Sequence, residues 1–242
     1  MPNKNKNVKI VFSGGSGRFG TVLKKIITGY NILYPKKNEL NIKNINSILK
    51  YLKKHKPTIF IHAAGLSRPM SVHEDNINKS INLNIISTAN VVIACKKLDI
   101  KLVYISTNFV YPGIKGNFKE VDPVKPFNNY GWSKLGGEAS VQMYKNSLIL
   151  RTCMTEEPFV HKKAFGDVLT NFEYHRKIGE MLFRLIHEKG IINLGGKSQS
   201  VYEFAKEKNL TVKKISAKKI FGKNYPIRQD MSISKLKKIL KR

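Results

Sequence analysis

A phenol and an ammonium stand four residues apart in Tyr130-Gly131-Trp132-Ser133-Lys134, a spacing that puts both on one helix face, about one turn apart. A free tyrosine titrates near pH ~10 and is a poor proton donor or acceptor at neutral pH. A neighbouring cation favours the phenolate and draws its pKa toward working pH, which suits the pair to general acid chemistry on a developing alkoxide. Upstream, Tyr104-Ile105-Ser106-Thr107-Asn108 ends an apolar run in hydroxyls, and Thr107 could hydrogen-bond a carbonyl oxygen under reduction. In a chain this rich in lysine a Tyr and a Lys four apart also arise by chance, so the pair needs independent company.

That company lies near the amino terminus. Ser13 to Gly20 reads SGGSGRFG, either G-x-G-x-x-G from Gly15, Gly17 and Gly20 or G-x-x-G-x-x-G from Gly14, Gly17 and Gly20. Glycines here permit a tight turn and close backbone approach to a pyrophosphate, whose charge then meets free N–H groups. The loop follows an apolar strand and precedes an amphipathic helix, the context that separates a dinucleotide cradle from a plain turn. Gly14, Ser16, Gly17, Arg18, Phe19 and Gly20 are its candidate cofactor contacts. An enzyme of NAD places an acidic side chain at the end of the second strand to bind the ribose 2′-hydroxyl. That place reads Tyr34-Pro35-Lys36-Lys37-Asn38, two cations where a 2′-phosphate would lie, so Lys36 points to NADP over NAD. A positive nicotinamide ring would reinforce the effect of Lys134 on Tyr130.

The elements that must position these groups follow from periodicity. Strand-length apolar runs at Val8–Ser13, Asn31–Tyr34, Thr58–His62, Lys101–Ser106, Ser147–Arg151 and Ile191–Leu194 alternate with helical spacing. The helical stretches are Arg18–Thr28, Ile45–Lys54, Ile77–Leu98, Tyr130–Tyr144, Phe172–His187 and Val201–Lys208. Repeated βα units predict an α/β fold, a doubly wound parallel sheet of Rossmann type with a small C-terminal substrate lobe. Residues 1–152 read as the dinucleotide-binding domain carrying the catalytic residues. Residues 153–242 read as a reduced substrate lobe interleaved with the last sheet elements. The pattern fades over Glu156–Thr170, where Glu156, Glu157, His161 and Lys162 could touch substrate but read better as solvated loop residues.

Composition bounds the rest. With 41% hydrophobic residues the chain can build a core, so its net charge of +28 does not signal disorder. Of the 44 basic residues, 37 are Lys, scattered in short clusters, whereas phosphate and base recognition prefers the arginine fork. A general Lys, Asn and Ile bias accounts for them better than specific nucleic-acid binding, and an anionic small-molecule substrate fits either way. Two cysteines, Cys95 and Cys153, support neither a disulfide framework nor a metal site and suit a reducing cytoplasm. No secretion signal is visible, and no apolar run approaches the ~18 residues of a membrane span.

Taken together, these segments resemble the extended short-chain dehydrogenase/reductase family, most closely its dTDP-4-dehydrorhamnose reductase group. The glycine loop is similar to the family's G-x-x-G-x-x-G. Leu40 to Asn44 (LNIKN) resembles the segment that sets a polar side chain near the adenine, here Asn41 with Ile42 beside it. His62 to Gly65 (HAAG) resembles the N-A-A-G stretch beneath the cofactor, which assigns Ala63, Ala64 and Gly65. Asn84 matches the family's helix asparagine. Tyr104 to Gly113 and Glu120 to Glu138 carry the catalytic Thr, Tyr and Lys onto Thr107, Tyr130 and Lys134. Arg151-Thr152 matches a strand-end pair, and 200–207 and 226–240 resemble the carboxy-terminal helix and tail.

The resemblance implies reduction of a 4-keto-6-deoxy nucleotide sugar by NADPH or NADH in deoxysugar or surface polysaccharide biosynthesis, in a cytoplasmic protein with a possible homodimer. In that scheme Tyr130 protonates the alkoxide, Lys134 tunes it and holds the nicotinamide ribose, and Thr107 orients the carbonyl. Asn108 stands where reductases carry Asp and dehydratases an Asp-Glu pair, which argues against dehydration. His62 replaces the family's Asn and reads as a strand-end spacer. The alternatives are an NAD-dependent epimerase of the same fold and a non-catalytic dinucleotide-binding regulatory protein.

Overall fold

The computed structural model describes residues 8–241. Its first half alternates strictly: β1 (Lys9–Ser13), α1 (Arg18–Leu23), β2 (Asn31–Leu33), α2 (Ile45–His55), β3 (Ile59–His62), then the short α3 (Val72–Asp75). One long helix follows in three stretches, α4 (Ile77–Ser80), a π-helical segment Ile81–Ile86 and α5 (Ser87–Lys97). Next come β4 (Lys101–Thr107), α6 (Asn129–Gln142) and β5 (Ser147–Thr152). The remainder holds β6 (Met154–Thr155), β7 (Lys163–Phe165), β8 (Leu169–Thr170), β9 (Glu173–Tyr174), α7 (His175–Leu185) and β10 (Gly190–Leu194). It closes with β11 (Gln199–Ser200), α8 (Val201–Lys206), β12 (Lys213–Ile215), α9 (Ala217–Phe221) and α10 (Ser234–Leu240).

Six parallel strands form the central sheet in the order β10-β5-β4-β3-β1-β2. Alternate residues of each strand point to opposite faces. Ile10 and Phe12, Ile59 and Ile61, Val103 and Ile105, Leu148 and Leu150 therefore bury against Phe19, Leu23, Ile178 and Leu182 from α1 and α7. Val11, Phe60, Leu102, Tyr104 and Ile149 bury on the other face against Ile48, Leu52, Val91 and Val141 from α2, α5 and α6. Covering both faces explains why the strands read as continuous apolar runs. From β1 the chain winds outward to β2 on one side and to β3 on the other, so the switch point, where such sheets bind ligands, lies between β1 and β3.

A second apolar cluster gathers Phe159, Val168, Tyr174, Val201, Phe204 and Val212 around the pairs β7–β12, β8–β11 and β6–β9. The chain leaves this lobe to supply α7 and β10 to the main sheet, with β10 parallel to β5. Among the described residues no helix is long and apolar enough to cross a membrane.

Departures from the expected elements have local causes. The first helix ends at Leu23 rather than Thr28, because Ile26, Ile27 and Thr28 are β-branched and Gly29 follows at φ +71°. The long helix is interrupted because the Ser87 and Thr88 hydroxyls donate to the carbonyls of Asn82 (2.7 Å) and Asn84 (2.8 Å), relaxing its ladder to a π turn. Glu173 and Tyr174, expected in a helix, instead pair with β6. The stretch expected to be irregular, 156–170, contains β7 and β8.

Candidate functional site

β4 runs fully buried to Thr107 at the carboxyl edge of the sheet, where the Thr107 hydroxyl accepts the Phe109 N–H at 3.3 Å. α6 begins opposite it. Its cap, Asn128, accepts the Gly131 N–H at 2.8 Å, and a side chain at Gly131 would lie 2.4 Å from the Phe109 carbonyl. The glycine thus lets the first turn of α6 sit directly on the end of β4. Tyr130, in that turn, packs edge-on against Phe109 (5.8 Å, 86°) and 5.1 Å from His73 of α3. Lys134 follows one turn later, buried, its Nζ 4.2 Å above the Tyr104 ring.

The electrostatics differ from the sequence expectation. Burial pushes the Tyr130 phenol up, and the groups opposing this are Thr107 by hydrogen bonding and Arg68 and Arg18 by charge. Lys134 is itself brought down to about 7 by burial, against the pull of Glu138, and is not among the groups that shift the Tyr130 phenol here. Two arginines supply the positive field at the phenol instead. Below the site Glu138 accepts from Ser106 Oγ (2.8 Å) and from Arg151 Nε (3.0 Å). Arg151 reaches Tyr111 Oη (2.7 Å), which donates to Asn193 of β10 at 2.9 Å. The strand-end Arg151 thus belongs to a buried floor beneath the end of β4.

The glycine loop and the HAAG stretch meet at the switch point. Gly14, at φ +92°, lies so close to the β3 loop that a Cβ there would stand 2.8 Å from the Ala64 nitrogen and 2.9 Å from the Ala63 carbonyl carbon. A Cβ on Gly20 would strike the Gly14 oxygen at 2.4 Å. Gly17 caps α1 without a side-chain bond, leaving first-turn amides for an external acceptor. Arg18 and Phe19 follow it, the first exposed toward solvent and the second buried. This cradle fits a dinucleotide diphosphate.

Other assigned residues sit less directly. Asn84 is spent on the Leu66 N–H (2.7 Å), the Leu66 carbonyl (2.9 Å) and Ser133 Oγ (2.8 Å). It braces the Gly65 loop against α6, with both Nδ2 hydrogens used in the brace. Asn41 Oδ1 accepts the Lys43 N–H at 3.1 Å, an Asx turn leading into α2, and Ile42 packs on the α2 side of the core. Lys36 is exposed beyond β2, and its N–H donates to Glu39 at 2.7 Å. This carboxylate, beside the two cations Lys36 and Lys37, offsets part of their charge. Ser16 is exposed on the loop.

His62 is a buried spacer with both ring nitrogens engaged, Nδ1 with Ser13 Oγ (2.9 Å) and Nε2 with Thr88 Oγ1 (3.1 Å). Burial, and then Lys134, push it down to about 3. The unfolded chain binds a proton below pH ~6.5 that the folded chain refuses, so stability is expected to fall by about 1.4 kcal/mol per pH unit between pH ~6.5 and ~3. In urea titrations across that range His62→Asn should flatten the slope; an unchanged slope would show that His62 does not carry it.

Sequence reasoning missed Arg68 and His175, and it favoured a solvated position for Glu156 over one in the site. The Glu156 carboxylate is only 20% exposed and pairs with Arg18 (3.1 Å) and Arg68 (3.2 Å). Glu157 keeps its expected surface position, paired with Lys208. His161 and Lys162 line a hollow of the lobe with Lys163, Asn209, Thr211 and Lys213, and Tyr130 is not among its lining residues.

Comparison with known proteins bears on the family and the fold. The family described as RmlD substrate binding domain matches residues 8–173. A dTDP-4-dehydrorhamnose reductase of Aggregatibacter actinomycetemcomitans is 27% identical over 169 residues, 68% of this chain and 54% of that protein. Methionine adenosyltransferase 2 subunit beta of Bos taurus is 26% identical over 144 residues, 56% of this chain and 43% of the relative. The chain spans about half the length of the curated relatives it matches. Among solved structures, dTDP-4-dehydrorhamnose reductase from Bacillus anthracis in complex with NADP superposes with a TM-score of 0.84 at 24% identity, covering 95% of this chain and 92% of that one. UDP-glucose 4-epimerase of Thermus thermophilus with NAD gives 0.76 at 16% identity, covering 97% and 94%. At these identities the structural likeness speaks for the fold. With the family match running from the first strand through the glycine loop, Thr107, Tyr130 and Lys134 to β9, the chain belongs to the RmlD substrate binding domain family.

Proposed function

We propose that the protein is a reductase that uses NADPH, or less readily NADH, on the keto carbon of a nucleotide-linked deoxysugar. One observation carries the reading: Thr107 and Tyr130 meet at the carboxyl edge of the sheet, with Lys134 one turn behind. The same edge carries the glycine cradle at the switch point. Gly14, Gly17 and Gly20 would hold the dinucleotide's diphosphate, Lys134 its nicotinamide ribose and Lys36 a 2′-phosphate; when bound, the cofactor supplies the hydride. Thr107 holds the substrate oxygen in line, and Tyr130, kept protonated by burial, delivers its proton as charge builds on that oxygen. Consumption of NADPH by the purified protein with a dTDP-linked 4-keto-6-deoxy sugar is the test, and no consumption would overturn the reading. The same assay run with NADH tests the cofactor preference.

A second reading, a dinucleotide-binding subunit of another enzyme, draws on the likeness to methionine adenosyltransferase 2 subunit beta. It would be favoured by tight cofactor binding without turnover. The epimerase alternative has structural relatives at lower likeness and would show turnover without net cofactor oxidation.

The lobe around Phe159 and Phe204 is assigned to the substrate's nucleotide side, and the protein to the cytoplasm, in keeping with two buried free thiols. Self-association is assigned to the outer face of the α4–α5 helix and α6. Ile77, Ile81, Ile86, Ile93, Trp132 and Met143 are exposed there, while Lys134 and Glu138, the charged residues of α6, are both buried. Lys79, Lys96 and Lys97 are also exposed along the α4–α5 helix, so the contact is confined to these apolar side chains. Wild type is expected to sediment at twice the chain mass and Trp132→Lys at the chain mass; a monomeric wild type would refute the dimer.

A further inference from the structure

Three separate segments bring charge to the mouth of the Tyr130 site. Arg18 opens α1 after the glycine loop, Arg68 lies in the loop after β3, and Glu156 follows β6. Arg18 Nη1 meets Glu156 Oε1 at 3.1 Å, while Arg18 Nη2 donates to Ser67 Oγ at 3.3 Å. Arg68 uses one nitrogen, Nη1, for both carboxylate oxygens, each at 3.2 Å. This is not the two-nitrogen fork of a strong arginine–carboxylate pair, and the contacts exceed the ~2.7–2.9 Å of good charge-assisted bonds. Arg68 therefore keeps donors in hand. Two cations share one anion, which leaves the group net positive beside the phenol.

A second observation points the same way. His175, at the head of α7, is 7% exposed, and its Nδ1 has no hydrogen-bond partner among the described residues. Its ring packs on Phe19, the neighbour of Arg18, at 5.6 Å, and it lies within charge range of Glu156, Arg18 and Arg68. A buried polar atom left unpaired is destabilising, and a bound ligand can supply the missing partner.

We propose that Glu156 is an internal counter-ion standing in for a ligand diphosphate: it holds Arg18 and Arg68 in place, and a diphosphate enters by displacing it. The ligand class is a diphosphate ester, from the dinucleotide or from the nucleotide sugar. Such a group offers more acceptors and more negative charge than one carboxylate, and it can engage both guanidinium forks. The exchange makes Glu156 a specificity residue, because a neutral or singly charged ligand gains too little to expel it. The assignment rests on the reductase reading only for where the ligand comes from.

Inorganic pyrophosphate is the probe, titrated calorimetrically into the full chain at fixed ionic strength. Glu156→Gln, which keeps the shape and removes the charge, is expected to tighten pyrophosphate binding about tenfold, and Arg68→Gln to weaken it at least as much. Equal or weaker binding by Glu156→Gln overturns the proposal. A readout that needs no variant is amide hydrogen exchange in wild type: pyrophosphate should speed exchange around Thr155 and Glu156 as the carboxylate is released, and slower exchange there counts against displacement. Competition then separates the sources. Loss of pyrophosphate binding to NADPH alone assigns the dinucleotide, loss to dTDP alone assigns the sugar nucleotide, and competition by neither overturns the proposal. If wild type oxidises NADPH while Glu156→Gln leaves pyrophosphate affinity unchanged, only the counter-ion fails. If pyrophosphate tightens as expected and no turnover is found, only the reductase fails.

Discussion

Tyr130→Phe is expected to lower turnover of a keto-sugar nucleotide by roughly 10²–10⁴-fold, the usual contribution of a positioned general acid, with the affinity for NADPH nearly unchanged. The substitution keeps the ring that packs against Phe109 and His73 and removes only the proton donor opposite Thr107. Because burial raises the phenol, it is protonated throughout the neutral range and needs no activation to donate. Steady-state kinetics with direct cofactor titration separates the two parameters. Undiminished turnover would remove Tyr130 from the chemistry; a parallel collapse in cofactor affinity would mean that the phenol shapes the binding site.

The second large effect is on stability. Glu138 and Arg151 are 0% and 3% exposed at their side chains, and removing one partner of such a pair leaves an uncompensated charge in the interior. Glu138→Ala is expected to cost about 3–5 kcal/mol, read from urea denaturation. It also withdraws the group that opposes the downward push on Lys134, so the ammonium becomes harder to keep beside the cofactor. Combining Glu138→Leu with Arg151→Met should recover most of the loss, since a well-packed apolar pair often equals a buried ion pair. No recovery would mean that the wider network through Tyr111 and Asn193 carries the energy.

The scaffold was legible because its signal is local. A strand buried on both faces, as Ile59–His62 is, shows its character within four residues, and the glycine loop declares itself by its place between β1 and α1. Thr107, Tyr130 and Lys134 were legible through a spacing and a strand end. What escaped depends on partners far along the chain: Glu156 meets Arg68 across 88 residues, and two-residue strands such as β6 and β9 exist only through each other. Glu39 was overlooked for a different reason. It lies beyond the strand end where an acid was sought, and only the turn at Lys36 folds it back. A sequence records which cation is near Tyr130 and not the desolvation that opposes its effect.

The placement of β10 bears on how the protein is made. Asn193 takes the Tyr111 hydroxyl, donates to the Phe118 carbonyl at 2.8 Å, and through its backbone N–H binds Glu120 at 3.1 Å. A nascent chain emerging from the ribosome therefore leaves the support under Arg151 open until the strand at 190–194 has been translated, and α1 behind the glycine cradle likewise waits for Ile178 and Leu182 of α7. Cofactor capture and catalytic competence should then both arise late in synthesis.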